Sequence, residues 1–424
     1  MMSTATPLRL RQLLATGAAC VAMVGCANLQ TSDEVPAPVE TAASAPAVVA
    51  VAPPTAASAP SVAASAAEST EPGGDAEAEA TEPEMVDPLR PEVRLNPNDV
   101  EAQSDLWDRL RSGFAMPDLE TDLVRNRERW YAAQPDYIER MTTRGGLYLF
   151  HIVEEISKRG MPAELAVLPF IESAFNPQAY SHAAASGIWQ FIPSTGRVFD
   201  LTQNVFRDDR RDVLASTRAA LDYLGKLHGM FGDWHLALAA YNCGEGCVAR
   251  AIARNRKAGK PTHYAALKLP KETRWYVPKF QAMKNIVARP ADFGITLPLL
   301  ENHPSFVAVP IERDIDVELA AELAERPLEA FGMLTPQMNK PVILAAGTPR
   351  VLLPYDNANT FVKALGARKE PLATWTAWLV PSTLPPGEAA RRVGMSEAEL
   401  REVNRIPPGV LIRTGSTLLV PRNG

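Results

Sequence analysis

Apolar residues recur at helical spacing through the central part of the chain. In the segment GLYLFHIVEEISKRG, the residues Leu147, Phe150, Val153 and Ile156 fall on one face of a helix. The segments RDVLASTRAALDYLGKLHGMFG and GDWHLALAAYN repeat this pattern, and the alternation typical of half-buried strands is nearly absent. The pattern predicts an all-helical domain over residues 99–300, which at about 200 residues is large enough to bury a substantial core.

Beyond this region the pattern changes to strand, helix, helix, strand, and it does so twice. The segments FVAVPIER and RVLLPY flank the first pair of helices, and TWTAWLV and STLLVP flank the second. The Leu-Pro at 353–354 and the Val-Pro at 420–421 align at an offset of 67 residues, which indicates an internal duplication. We therefore expect a mainly α protein with two small α+β (βααβ) modules, at residues 301–367 and 372–424. Their separate cores would allow both to be removed without unfolding the helical domain.

The N-terminal quarter has the pattern of an export signal followed by a tether. In residues 1–25, Arg9 and Arg11 precede an apolar stretch that is shorter than the roughly 20 residues of a membrane-spanning helix. Residues 26–98 are rich in alanine, proline and acidic residues and contain no aromatic residue. Because such a segment has little apolar surface to bury, we predict a disordered tether.

Composition narrows the class of protein without identifying it. The chain has 424 residues, 37 prolines and a formal net charge of -6. Because nucleic-acid-binding domains are usually basic, this balance argues against a nucleic-acid partner. The six histidines are scattered without a ligand spacing, and the sequence lacks the motifs HExxH, GxSxG and GxxxxGK. We therefore predict no metal, nucleotide or other cofactor.

One acidic residue lies in apolar surroundings. Glu172 is at the end of a run that contains Leu168, Phe170 and Ile171, and Phe175 follows it. Such surroundings raise the pKa of a carboxyl group, which then stays protonated near neutral pH and can act as the general acid of glycosidic cleavage. For an isolated IES motif, an exposed glutamate at a helix end would be the preferred interpretation.

The motifs around and after Glu172 favour the catalytic interpretation. ESAFNPQAYSHAAASGIWQFIPSTG, LALAAYNCGEG and ETRWYVPK occur in the order and approximate spacing of the lytic transglycosylase domain related to goose-type lysozyme. Residues 100–300 resemble the membrane-bound lytic murein transglycosylase D family. The resemblance implies a lysozyme-like fold and, in cell-wall remodelling, cleavage of the bond between N-acetylmuramic acid and N-acetylglucosamine in peptidoglycan strands.

The resemblance also assigns roles to individual residues. It implies that Glu172 is the single acid and base and that Tyr241 donates a hydrogen bond to its carboxyl group. The other implied members of the substrate-binding or catalytic site are Ser173, Gly187, Trp189, Gln190, Asn242 and Tyr276. Judged alone, Trp189 and Tyr241 would more often be core residues, and Asn242 beside Gly244 could simply end a helix.

The cysteines suggest both an anchor and a local bridge. Cys20 leaves with the predicted signal, whereas MVGC, which ends at Cys26, resembles the lipobox of bacterial lipoproteins. The resemblance implies acylation of Cys26, membrane attachment by lipid only and, because Ala27 stands in place of Asp, a periplasmic protein on the inner face of the outer membrane. Cys243 and Cys247 form either a disulfide or two free thiols at i, i+4 spacing.

Each C-terminal module resembles LysM, a small fold that binds glycans containing N-acetylglucosamine. The second copy is the closer match, and the first is degenerate. The alternative for both copies is a structural appendage that binds no ligand.

The distribution of acidic residues bears on the type of cleavage. Hydrolytic glycosidases ordinarily use two carboxyl groups, and no Asp or Glu occurs from Ser173 through Phe199. A lone acid suffices if the C6 hydroxyl of the sugar attacks, which produces 1,6-anhydro-N-acetylmuramic acid ends. Alternatives are a hydrolytic muramidase, with Glu245 or Glu272 folded into the groove, and a non-catalytic peptidoglycan-binding lipoprotein. The acids of RDDRRD, residues 207–212, are expected only to cap a helix and pair locally.

Overall fold

The computed structural model describes residues 104–422 and the backbone of two short strands before them. Strands β1 (Met85–Asp87) and β2 (Arg90–Leu95) pair antiparallel. They fall within the predicted tether, for which the composition predicts no regular structure. Pairing of this kind satisfies backbone groups and does not depend on an apolar composition. The predicted signal and both N-terminal cysteines lie outside the described residues.

Residues 104–300 are mainly helical, as the apolar periodicity predicts. Short 3-10 helices at Ala163–Val167, Tyr264–Ala266 and Pro290–Phe293 separate some of the α-helices. The α-helices are α1 (Leu106–Ser112), α2 (Asp122–Ala132), α3 (Pro135–Gly146), α4 (Leu149–Lys158), α5 (Leu168–Ser173), α6 (Pro193–Val198), α7 (Val213–Phe231), α8 (Trp234–Cys243), α9 (Glu245–Lys257) and α10 (Lys271–Ala288). The prediction of a mainly helical chain is confirmed, and in this part of the chain no helix is long and apolar enough to cross a membrane.

Capping residues in the sequence set the junction between α7 and α8. The Asp212 side chain accepts a hydrogen bond from the backbone N–H of Ala215, 2.8 Å away, which starts α7. Gly232 ends α7 with a φ of 66°, a conformation that glycine adopts without strain. Asp233 then caps α8 by accepting from the N–H of Leu236 at 2.8 Å. The predicted capping by an acid of the RDDRRD segment is confirmed at Asp212.

A buried ion pair ties the segment before α5 to α10. The Glu164 side chain is fully buried, and its carboxylate accepts hydrogen bonds from the N–H groups of Ala115 and Met116 at 3.0 and 2.7 Å. Lys284 of α10 pairs with it at 3.1 Å and with Asp118 at 2.9 Å. Because each buried charge has several partners, this cluster fixes the position of α5 relative to α10.

The C-terminal part has the predicted order of strand, helix, helix and strand in both copies. The first copy contains β3 (Val307–Pro310), β4 (Ile315–Asp316), α11 (Val317–Leu323), α12 (Leu328–Leu334), β5 (Val342–Ile343), β6 (Arg350–Leu353) and α13 (Tyr355–Ala367). The second contains β7 (Trp375–Leu379), α14 (Pro386–Arg392), α15 (Glu397–Asn404) and β8 (Thr417–Pro421). The outer strands pair antiparallel in each copy, β3 with β6 and β7 with β8. The short pair β4 and β5 and helix α13 are additions that the sequence pattern does not predict.

One face of the first module belongs to the core of the helical domain. Phe306, Ala308, Leu334 and Leu352 are buried in the same apolar cluster as the helices. Since side chains alternate along a strand, the opposite face of β3 and β6 packs on the module's own helices. The expectation of separate cores is therefore wrong for the first module. The second module has its own apolar cluster, and a small further cluster around Phe206 joins it to the rest.

Candidate active site

Glu172 lies in the last turn of the short helix α5. The helix ends because Ala174 and Phe175 adopt left-handed backbone conformations, with φ of 50° and 55°. Their N–H groups bond back to the carbonyls of Phe170 and Pro169, both at 3.2 Å. The ring of Phe175 packs edge-on against that of Phe170, with centroids 4.6 Å apart. The turn after Glu172 is therefore locked into the core.

The carboxyl group of Glu172 is set up to hold a proton near neutral pH. Glu172 is half-buried, and the hydroxyl of Tyr276 in α10 donates a hydrogen bond to Oε1 of Glu172. Burial away from water raises the pKa of Glu172 to about 7, against the opposing effects of the Tyr276 hydrogen bond and the charge of Lys279. The carboxylate of Glu272 adds a smaller raising effect. This agrees with the apolar surroundings seen in the sequence.

The tyrosine that donates a hydrogen bond to Glu172 is Tyr276 and not Tyr241. The Tyr241 hydroxyl donates to the backbone carbonyl of Trp189 at 2.8 Å, so the predicted hydrogen bond from Tyr241 to the catalytic carboxyl is wrong. Burial and the nearby Glu172 carboxylate raise the pKa of both tyrosines well above the ordinary value. Both hydroxyls therefore stay protonated and serve as donors.

The glycine-containing loop after α5 is bonded to the residue next to Glu172. The Ser173 hydroxyl donates to the carbonyl of Ile188 at 3.0 Å, and the side-chain amide of Gln190 donates to the carbonyl of Gly187 at 2.8 Å. Gly187 has a φ of 81°, and a Cβ atom there would lie 2.0 Å from the carbonyl oxygen of Arg210. Only glycine fits at this position. Together with the bonds of Ser173 and Gln190, it sets the shape of the loop beside the acid.

Trp189 lies in the core and not on the surface of the groove. Its side chain is fully buried, and its indole N–H donates to the hydroxyl of Thr217 at 3.1 Å. The side chain of Trp189 therefore occupies a core position, which is the alternative that its residue type alone favours. A buried indole N–H needs an acceptor, and Thr217 of α7 supplies it.

Asn242 connects the end of α8 with the beginning of α10. Its side-chain carbonyl accepts from the Thr273 hydroxyl at 2.8 Å, and its amide donates to Glu272 at 3.4 Å. Immediately after it, Cys243 and Cys247 are joined as a disulfide with their Cα atoms 5.9 Å apart. The bonds of Asn242 hold the helix that carries Tyr276 next to the helix that carries Tyr241, and the disulfide joins the end of α8 to the beginning of α9.

Of the two acidic residues considered as partners for Glu172, Glu245 is engaged elsewhere. Glu245 accepts a hydrogen bond from Tyr223 at 3.1 Å and pairs with Lys226 at 3.1 Å. Of the two alternatives, only Glu272 has an electrostatic effect on Glu172, and it is the weakest of the four influences on that pKa. The local arrangement therefore contains one acid with a strongly raised pKa.

Arg210 supports the loop, a role that sequence reasoning missed. Its guanidinium group donates to the carbonyls of Ala184 and Phe191 at 2.6 and 3.1 Å and pairs with Asp208 at 2.6 Å. The predicted local pairing in the RDDRRD segment is thus present. The sequence pattern indicates the local pairing but not the support of the loop, because the carbonyls that Arg210 binds lie 26 and 19 residues away.

The first C-terminal module holds the RDDRRD segment from the other side. The N–H of Asp208 donates to the carbonyl of Gln337 at 2.9 Å, and the N–H of Asn339 donates to the carbonyl of Phe206 at 2.8 Å. Arg211 also donates to the Asn339 side chain at 2.5 Å. The module therefore contributes to the support of the loop beside Glu172.

Replacing Tyr276 by phenylalanine should move the alkaline limit of activity to higher pH. The hydrogen bond from Tyr276 favours the ionised form of Glu172. Removing this donor therefore raises the pKa of Glu172 further above about 7. A general acid works in its protonated form, and that form then persists to higher pH. The rate of release of soluble fragments from sacculi, measured from pH 5 to pH 9, checks this. An unchanged alkaline limb would contradict the contact between Tyr276 and Glu172.

Comparison with known proteins places this arrangement in a class. Residues 151–263 match the model of the Transglycosylase SLT domain, and this range contains Glu172, the glycine-containing loop and Tyr241. Residues 151–263 of the helical domain thus form a transglycosylase domain of the SLT type.

Two longer matches define the family. The chain is 33% identical over 335 residues to membrane-bound lytic murein transglycosylase D from Escherichia coli strain K12, a match that covers 76% of this chain and 74% of that protein. The protein of the same name from strain O6:H1 gives the same figures. A shorter match, 32% identical over 113 residues, is to membrane-bound lytic murein transglycosylase F from Alcanivorax borkumensis and covers 24% of this chain and 23% of that one. The chain belongs to the membrane-bound lytic murein transglycosylase D family.

Proposed function

We propose that this protein cleaves peptidoglycan glycan strands as a lytic transglycosylase and that Glu172 serves as both acid and base. The observation that carries the proposal is the position of Glu172 within the matched transglycosylase domain, with a pKa of about 7 and a hydrogen bond from Tyr276. A group with this pKa is populated in both protonation states near neutral pH, so it can give a proton and later take one back.

The reaction begins with protonation of the glycosidic oxygen. The proton of Glu172 passes to the oxygen that joins C1 of N-acetylmuramic acid to N-acetylglucosamine, and the C1–O bond breaks. The resulting Glu172 carboxylate takes the proton of the C6 hydroxyl of the same N-acetylmuramic acid, whose oxygen attacks C1. The products are a free N-acetylglucosamine hydroxyl and a 1,6-anhydro end, and no water is consumed. Intramolecular attack has a high effective concentration, which offsets the lack of a second carboxyl group.

The surroundings of Glu172 favour this route over hydrolysis. Hydrolysis needs a second carboxyl group as nucleophile or as the base for a water molecule. Glu245 is held by Lys226 and Tyr223, and the Glu272 side chain is bonded to Asn242. The non-catalytic alternative is disfavoured because a protonatable Glu172 and its Tyr276 donor are both in place.

The ends produced on purified sacculi test the reaction. We expect fragments with 1,6-anhydro-N-acetylmuramic acid ends, which are one water lighter than reducing ends and resist borohydride. Mass spectrometry before and after borohydride treatment distinguishes them. Reducing ends only would indicate a hydrolytic muramidase and make Glu272 the residue to test. If no soluble fragments are released, the protein is the non-catalytic peptidoglycan-binding lipoprotein of the second alternative.

We propose that the second C-terminal module, residues 372–424, binds glycan strands as a LysM-like unit. It has its own apolar cluster, and the loop between α15 and β8 exposes Val410 and Leu411, apolar surface that the face of a sugar can cover. We propose that the first module, residues 301–367, is mainly structural, since it shares the core of the helical domain. The helical region of residues 99–300 is proposed as the catalytic domain.

We propose that the protein is attached to the membrane by lipid at Cys26 and faces the periplasm from the outer membrane. Its relatives are named as membrane-bound, and MVGC resembles a lipobox. The Cys26→Ala variant should lose its acyl chain and leave the membrane fraction. Fractionation of cells with labelled palmitate checks this, and a wild-type protein without label would contradict it.

A further inference from the structure

Two cationic side chains next to Trp275 of α10 form no ion pair in the described part of the chain. Arg127 of α2 is 7% exposed, and its Nε atom has no hydrogen-bond partner among the residues that the structure describes. Lys279 of α10 is half-buried and likewise forms no ion pair within that part of the chain. Lys279 is within electrostatic range of Arg127, Glu172 and Glu272.

Helix geometry places Lys279 beside the residue that bonds to the acid. Lys279 is four residues after Trp275 and three after Tyr276 in α10, so it is a neighbour of both on the helix surface, and Tyr276 donates a hydrogen bond to Glu172. The Arg127 guanidinium carbon lies 5.1 Å from the centre of the Trp275 ring. It lies 5.4 Å from the ring of Trp130. Lys279 therefore lies beside the tyrosine that meets the catalytic carboxyl, and Arg127 lies against the neighbouring Trp275.

The stacking of Arg127 leaves its hydrogen-bonding capacity unused. A cation–π contact engages the face of the guanidinium group, whereas its N–H groups point outward in the plane. These N–H groups match the two oxygens of a carboxylate, and an ammonium group nearby adds a point charge. A buried guanidinium group next to a half-buried ammonium group is unfavourable on its own, and an anion between them would offset both the lost hydration and their repulsion.

We infer that Arg127 and Lys279 form a subsite for a carboxylate carried by the muramic acid residue at the cleaved bond. This carboxylate is either the lactyl carboxylate of a peptide-free strand or a carboxylate of the stem peptide. The inference rests on the proposed lytic transglycosylase function. The subsite would bind the strand in the register that brings the glycosidic oxygen to Glu172.

Kinetics on three matched substrates test the subsite. The first is purified glycan strands freed of peptides, with lactyl carboxylates exposed. The second is the same strands with these carboxylates converted to amides, and the third is strands that keep their stem peptides. With Arg127→Met and Lys279→Met, we expect KM to rise by about tenfold on a carboxylate-bearing substrate, the effect of losing one charge-assisted hydrogen bond, and to change little on the amidated strands. Thermal unfolding of each variant verifies folding.

A matched control separates this effect from a general loss of charge. Arg125 lies on the same helix, is exposed and pairs with Asp122, so Arg125→Met should leave KM unchanged on all three substrates. If Arg127→Met unfolds, Lys279→Met and the charge-conserving Arg127→Lys carry the test.

The outcomes also distinguish this inference from the proposed function. A rise in KM only on peptide-free strands identifies the lactyl carboxylate, and a rise on peptide-bearing strands identifies the stem peptide. Equal changes on charged and amidated strands would mean that Arg127 only stacks between tryptophans, and the subsite would be refuted while the wild type still cleaves. A wild type that cleaves none of the substrates would instead refute the proposed function.

Discussion

Replacing Glu172 with glutamine should lower the rate of cleavage of purified sacculi by about 100- to 10,000-fold, the usual contribution of a general acid. Glutamine keeps the size of the side chain and can still accept the hydrogen bond from Tyr276. It has no proton to give to the glycosidic oxygen, and it cannot take one from the C6 hydroxyl. The rate is measured as soluble fragments released per unit time at pH 6, where the Glu172 carboxyl is mostly protonated.

A matched variant and a binding measurement complete this test. Glu139 is an exposed glutamate in α3, so Glu139→Gln makes the same chemical change away from the site and should cleave at the wild-type rate. Co-sedimentation of Glu172→Gln with sacculi should match that of the wild type, because binding does not need the proton. If Glu172→Gln releases fragments at a near wild-type rate, another group supplies the proton and the assignment fails.

Glu172 could be located from the sequence because the features that raise its pKa are local. The apolar residues around it lie within a few positions, and they form the short helix and turn that bury it. The identity of its hydrogen-bond donor is not local. Tyr276 is 104 residues away, and its position depends on how α10 packs against α5. The sequence places both Tyr241 and Tyr276 at the site, and only the packing of the helices shows which of them is the donor.

The role of Trp189 could not be read from its motif for a similar reason. A tryptophan can serve as a platform for a sugar or fill a core, and its neighbours in sequence are the same in either case. The choice depends on which way the loop turns, and this loop is constrained at Gly187 by the carbonyl of Arg210. The indole consequently points to Thr217 in α7. Contacts of this kind join segments that no local pattern relates.

The C-terminal strands reveal a further limit of pattern analysis. The continuous apolar run Val307–Pro310 in β3 gives the strand two apolar faces, and a strand with two apolar faces must be covered on both sides. The sequence predicts the module's own helices as one cover, but it does not identify the other. In the structure the helical domain is that cover, through Ala308, Leu352 and their neighbours Phe306 and Leu334. This difference changes what should happen when the modules are removed.

A chain that ends at residue 300 should fail to fold stably, whereas a chain that ends at residue 371 should keep its helical domain. The first truncation removes Phe306, Leu334 and Leu352 from the core. Burial of three such side chains contributes about 5 to 8 kcal/mol. That is a large part of the roughly 5 to 15 kcal/mol by which a domain is stable. It also removes the partners of the segment that supports the loop beside Glu172.

The shorter deletion leaves these contacts in place. It exposes the small cluster around Phe206 and removes the hydrogen bond from Lys340 to the carbonyl of Val403, so a melting temperature a few degrees lower is expected. Circular dichroism on heating measures the stability of each truncated chain, and fragment release from soluble glycan strands measures its activity. Co-sedimentation with sacculi reports the contribution of the second module to wall binding. A cooperative transition and full activity in the chain that ends at residue 300 would mean that the first module is only an appendage, because its shared face would then contribute nothing to the stability of the helices.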